Sequence, residues 1–228
     1  MTKYTLLPVY TFMGLIVTSV LLAGCVIHVG ASDGNGGYSS GNNSSYSSTN
    51  KSVSVGEGLN VGDVSSVNGS VTLSNSVIAK EVSSVNGRVK IGDNVTVSSV
   101  ELVNGKVSIG ENFSAAESVE TVNGNITIGK KSSVAQNIET VNGNIELTGV
   151  SVGQDVETTN GSVYLNDGSV VNGDVIFEGK AKKNNWRNRP PVLKVDANSD
   201  IKGKIIIFKE VEFDFADSAM LDKVERRY

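Results

Sequence analysis

Val122-Asn123-Gly124-Asn125-Ile126-Thr127-Ile128-Gly129 decides how this chain is read. Close copies of the stretch recur, with Asn-Gly pairs ending at Gly69, Gly87, Gly105, Gly124, Gly143 and Gly161, at intervals of 18, 18, 19, 19 and 18 residues. A fixed period of this length is the mark of a stacked repeat array. With each such glycine set as position zero, the columns align. Two positions after it stand Val71, Val89, Val107, Ile126, Ile145 and Val163, and four after it stand Leu73, Ile91, Ile109, Ile128, Leu147 and Leu165. Two apolar residues around one polar residue make a short strand with one face inward.

Further apolar columns lie two before the glycine (Val67, Val85, Val103, Val122, Val141, with Thr159 last) and five before it (Val64, Val82, Val100, Val119, Ile138, Val156). In the first three repeats another lies eight after it, at Val77, Val95 and Phe113. The pattern assigns about five inward positions to each coil. Helical solenoids need longer repeats and a 3.6-residue apolar period, which this chain lacks. Asn-Gly is also a strong hairpin signal, but an antiparallel meander has no reason to repeat one side chain per column every 18 residues. The expectation is therefore an all-β, single-stranded parallel β-helix of eight to nine coils, 18–19 residues each, with a C-terminal cap. Coils of 19 residues break a strict six-residue phase, which favours the right-handed form.

The first coil keeps the frame without its Asn-Gly if Lys51 stands for the glycine, so the array is expected over 53–179. After Gly161 the next candidate glycine is Gly173, with Val175 and Phe177 two and four beyond it; Gly203 follows, with Ile205, Ile207 and Val211 in the same frame. The 30-residue interval between those glycines equals one coil plus about 12 residues, placed at 180–191. Residues 192–228 then hold the last coil and the cap, with Ser218 as a candidate helix N-cap.

Residues 1–24 read as an export signal: Lys3 near the start, an apolar run from Phe12 to Leu22, and small residues before Cys25. That run is too short to span a bilayer, which takes about 20 residues. Residues 25–52 are dominated by Gly, Ser and Asn and read as a tether, with the lone histidine, His28, as a solvated linker residue. Cys25 is the only cysteine, so no disulfide forms within the chain. The full chain carries a net charge of −4. This mild acidity offers no general attraction for nucleic acid.

Cys25, a glutamate column and the insertion depart from the repeat and are candidate functional features. Four before the glycine, Ser65 and Ser83 give way to Glu101, Glu120, Glu139 and Glu157. This column is either a solvated acidic stripe or a weak divalent-cation site needing further oxygen ligands. The insertion carries Lys180, Lys182, Lys183, Arg187 and Arg189 around Trp186, which suits an anionic polysaccharide or lipid headgroup or a solvated loop packed on the rod. The asparagines before the glycines are expected to stack as a ladder, in turns that need positive φ. No serine-histidine-acid set, His or Cys metal cluster or phosphate loop occurs, so no enzyme activity and no cofactor are expected.

Leu22-Ala23-Gly24-Cys25 resembles the lipobox of bacterial lipoproteins. The resemblance implies diacylglycerol and fatty acyl groups on Cys25, anchorage to a membrane, and, with Val26 rather than aspartate following, attachment at the outer membrane. The repeated Val-Asn-Gly-x-Val/Ile-x-Ile-Gly resembles exported bacterial β-solenoid proteins of the adhesin type over about residues 53–177. At coil length it is also similar to the bactofilins, which self-assemble, although those usually lack a lipobox. The functional expectation is a non-enzymatic, lipid-anchored envelope scaffold or adhesin-like module. Alternatives are a protein that binds or processes polysaccharide or peptidoglycan through Trp186, and a self-associating structural protein.

Overall fold

In the computed structural model, which describes residues 43–179 and 189–228, the chain forms a three-faced parallel β-solenoid of about nine turns. Face A has ten strands, from Tyr46–Ser48 to Val224–Arg226, and face B nine, from Val53–Val55 to Glu212–Phe215. Face C has six, from Thr96–Val97 to Asp200–Ile201, prolonged by single bridges through Ile78 to Asn60. The strands pair in parallel and in register, so Ile126 stacks between Val107 and Ile145, and Ile128 between Ile109 and Leu147. At strand spacings of about 4.8 Å, nine turns make a rod about 40 Å long.

Each coil turns six side chains inward, two per face. Val119 and Thr121 on face A, Ile126 and Ile128 on face B, and Ser132 and Val134 on face C are all buried. The core is thus a narrow column of β-branched residues, each stacked on its counterparts one coil away. One coil alone buries too little to persist, and stability grows with the number of neighbours.

Several expectations change. The column two before each glycine points outward: Val67, Val85, Val103, Val122 and Val141 are only half-buried. Its neighbour three before the glycine, Ser66, Ser84, Leu102, Thr121, Thr140 and Thr158, points inward and is buried. Successive strand residues alternate sides, so positions three apart cannot both face the core, and the column five before the glycine has the inward place. Face C contributes a sixth inward column, Ala79, Val97, Ala115, Val134, Val152 and Val171, whose alanines weaken its apolar signal.

The array starts at Tyr46 rather than Val53. Tyr46 pairs with Val64, and Asn50 supplies a ladder rung beneath Asn68 at 3.1 Å. Beyond Gly161 the phase also differs. Val175–Phe177 and Ile205–Ile207 lie on face A, paired with Val156–Thr158 and with each other. The face B strands of these coils are Val192–Val195 and Glu212–Phe215. A glycine followed by alternating apolar residues occurs at two corners of the triangle, so the period alone does not name the corner. The insertion does interrupt the last repeats, between Phe177 on face A and Val192 on face B.

At the C-terminal end, Asp217 rather than Ser218 caps a 3-10 helix, Ser218–Lys223, by accepting the Ala219 N–H. Lys223 ties this turn to Asp200 and the Ile201 carbonyl at the end of face C, and Met220 is buried beneath it. Val224–Arg226 adds a tenth strand to face A rather than covering that face's edge.

Candidate functional site

The A–B corner is built from the asparagine ladder and its glycines. Asn86 Nδ2 donates to Asn68 Oδ1 at 3.0 Å, Asn104 to Asn86 at 2.9 Å, Asn123 to Asn104 at 2.8 Å, Asn142 to Asn123 at 2.7 Å and Asn160 to Asn142 at 2.9 Å. These asparagines do not have positive φ. The left-handed residues sit at the B–C corner instead, at Ser76, Asn94, Asn112, Lys131 and Asp167. The ladder glycines are needed for close approach: a Cβ on Gly124 would lie 1.6 Å from the Gly105 carbonyl oxygen.

The inward hydroxyls beside this corner separate into two groups. Ser66, Ser84 and Thr140 donate to the carbonyls of Lys51, Gly69 and Gly124 in the preceding coil, at 3.0–3.1 Å. Thr121 Oγ1 and Thr158 Oγ1 are buried with no hydrogen-bond partner. A buried hydroxyl without a partner carries its desolvation cost unrelieved. Thr158→Val is therefore expected to leave the melting temperature unchanged or raise it, whereas Thr140→Val is expected to cost about 1 kcal/mol, both read by thermal unfolding.

The glutamate column occupies the outer side of face A. Glu101, Glu120, Glu139 and Glu157 are direct Cα partners on successive strands. Strand alternation places the half-buried Val103, Val122 and Val141 beside them on the same outer side. The column begins above Ser83 and ends below Ile176. At about 4.8 Å, two adjacent carboxylates repel by about 0.9 kcal/mol in water and about 3.5 kcal/mol at an effective dielectric of 20.

The four glutamates are half-buried rather than fully solvated, and their acidity shows it. Burial against the sheet, with the charges of Glu81 and Glu117, pushes Glu101 up to about 6. Burial and the flanking Glu139 and Glu101 push Glu120 up to about 7. Burial, with Glu139, Glu178 and Asp155, pushes Glu157 up to about 8. Glu139 is also raised by burial, although Asn137 Nδ2 donates to its Oε1 at 3.0 Å and offsets part of the effect. Glu225, further along the same column, shows the opposite behaviour: Lys204 and Arg227 pair with it at 3.0 and 2.8 Å and lower its pKa. None of the salt bridges found among the described residues reaches the four stacked glutamates.

This column can therefore take up protons near neutral pH, its charge growing as pH rises through 6 to 8. Clustered carboxylates with displaced pKa values make this side of face A the candidate functional surface. Among the described residues, no three His, Cys, Asp or Glu side chains come together to hold a metal ion. The glutamates meet as successive neighbours along a line. Of the basic insertion, Arg189 is described and exposed. Lys180, Lys182, Lys183, Trp186 and Arg187 lie outside the described residues, as do Cys25, His28 and the export signal. The periodicity exposed the glutamates as a column, but not their burial.

Comparison with known protein families, with characterised proteins and with solved structures finds no match to this chain.

Proposed function

We propose that the protein is a non-enzymatic β-helical rod of the cell envelope, exported and anchored in the outer membrane through diacylglycerol and fatty acyl groups on Cys25. It would serve as a scaffold or adhesin-like module that presents face A. The observation that carries this reading is the economy of the coils. Over Val64 to Phe177 the strands follow one another through short corners, without the long side loops on which a solenoid would assemble a substrate cleft. What varies from coil to coil is the outer side of the faces, where face A alone carries a continuous column of acids.

The anchor and the absence of catalysis are tested separately. Wild-type protein is expected in the membrane fraction, and Cys25→Ser in the soluble exported fraction; a variant that stays with the membrane would refute the lipid anchor. Purified rod incubated with peptidoglycan or envelope polysaccharide is expected to release no soluble fragments, and their release would show a processing enzyme instead.

A further inference from the structure

The asparagine ladder has an unfinished end, and its rungs are the peptide sequence most prone to spontaneous deamidation. Glycine after asparagine leaves the backbone nitrogen free of steric hindrance, so it can reach the asparagine Cγ. At three rungs of the ladder both reacting groups are held, whereas at Asn68 and Asn123 the side chain is bonded on both sides but the Gly69 and Gly124 N–H groups make no hydrogen bond found among the described residues. Asn142 donates to Asn123 at 2.7 Å and accepts from Asn160 at 2.9 Å, while the Gly143 N–H donates to the Asn160 carbonyl at 3.2 Å. Asn86 and Asn104 are held on both sides in the same way, with the N–H groups of Gly87 and Gly105 bonded to Asn104 and Asn123 at 3.0 and 2.9 Å. Among the described residues the off-ladder pair Asn172-Gly173 is tied down too, through bonds to the carbonyls of Val152 and Gln154, and Asn35-Gly36 lies outside them.

Asn160 is different. Its amide donates to Asn142, but the next coil offers no rung: Phe177 pairs with Thr158, which puts Gly179 above Asn160. Its side-chain oxygen and the Gly161 N–H make no hydrogen bond found among the described residues, and Asn160 is exposed. We propose that Asn160 is the site at which the folded rod modifies itself, while the ladder protects Asn86, Asn104 and Asn142. The Gly161 nitrogen, having given its proton to hydroxide, bonds to Asn160 Cγ. The Cγ–Nδ2 bond breaks and the amide leaves as ammonia with a proton from water. Water then opens the five-membered imide to isoaspartate or aspartate, and no oxidant or cofactor enters. The product places a new carboxylate at the ladder's end, three residues from Glu157. In the isoaspartyl form it also lengthens the backbone by one methylene at the point where Gly143 bonds to the Asn160 carbonyl.

The test is incubation of the folded full chain in mildly alkaline buffer, followed by digestion and mass spectrometry of each Asn-Gly peptide. Asn160 is expected to convert about tenfold faster than Asn86, Asn104 and Asn142, the ratio that two fewer net hydrogen bonds would give; in denaturant the four rates converge. Equal rates in the folded chain would overturn the proposal. Asn142→Ser, which removes the rung below, is expected to speed conversion at Asn160; an unchanged rate there would show that the ladder does not control the reaction.

Discussion

Raising the pH from 5 to 9 is expected to lower the melting temperature of the rod by about 10 °C, the reverse of the usual behaviour of a protein rich in paired carboxylates. Glu101, Glu120 and Glu157 have folded pKa values of about 6, 7 and 8, above the ordinary glutamate value of about 4.3. A group whose folded pKa is raised contributes its stability below the unfolded value and loses it as pH climbs through the folded one. The loss therefore runs from about pH 4.5 to pH 8. Discounted for the solvent that still reaches half-buried carboxylates, each of these three glutamates contributes about 1 kcal/mol to this change, and Glu139 acts in the same direction. A chain of this size shifts by about 2–4 °C per kcal/mol. On the acid side, Asp200 and Glu225 act in the opposite sense. Lysine hydrogen bonds lower both pKa values, so their contribution is lost only as pH falls below the ordinary carboxylate range. The optimum is thus expected near pH 4 to 5. Glu120→Gln combined with Glu157→Gln should raise the melting temperature at pH 9 and flatten the profile. A rod that melts no lower at pH 9 than at pH 5 would mean that the column is solvated after all.

Gly124→Ala is expected to be among the most damaging single methyls that can be added to the repeat, at about 4 kcal/mol or more. The new Cβ would stand 1.6 Å from the Gly105 carbonyl oxygen and 2.7 Å from its carbon, and neither is the end of a flexible side chain. Relief requires the two coils to separate at the A–B corner, where the asparagine ladder crosses. Because Gly124 lies mid-array, the break would divide the stack into two shorter ones, each with fewer neighbours to support it. Gly56→Ala is the control: its Cβ would meet only Leu59 Cδ1 at 3.6 Å. Thermal unfolding followed by circular dichroism compares the two, and a Gly124→Ala variant that melts within a degree or two of wild type would refute the close-approach account.

Both effects trace to the same coil geometry, and they differ in how openly the chain announces them. The glycine column is plain in the sequence because close approach tolerates one residue type at Gly69, Gly87, Gly105, Gly124, Gly143 and Gly161. Its cause is not plain, since Asn-Gly is equally the signature of a positive-φ turn, and the structure moves that conformation to the corner of Ser76, Asn94 and Asn112. The acidic column is equally visible as letters, yet its proton affinity was hidden. It depends on the half-burial of the outer side of face A and on the charges stacked along it, and neither is written in the letters of the column.

The sequence by itself determined the period, the parallel stacking and the ladder, because each is a relation between a residue and its copy 18 or 19 positions away, and such relations survive in one dimension. Only the tertiary structure decided which of two neighbouring columns faces inward, which corner Gly173 and Gly203 occupy, and how strongly Glu157 holds its proton. Those depend on which face a strand joins and on what lies across it in the next coil. Strand alternation permits two choices of side, a triangular coil permits several corners for the same glycine pattern, and packing selects among them.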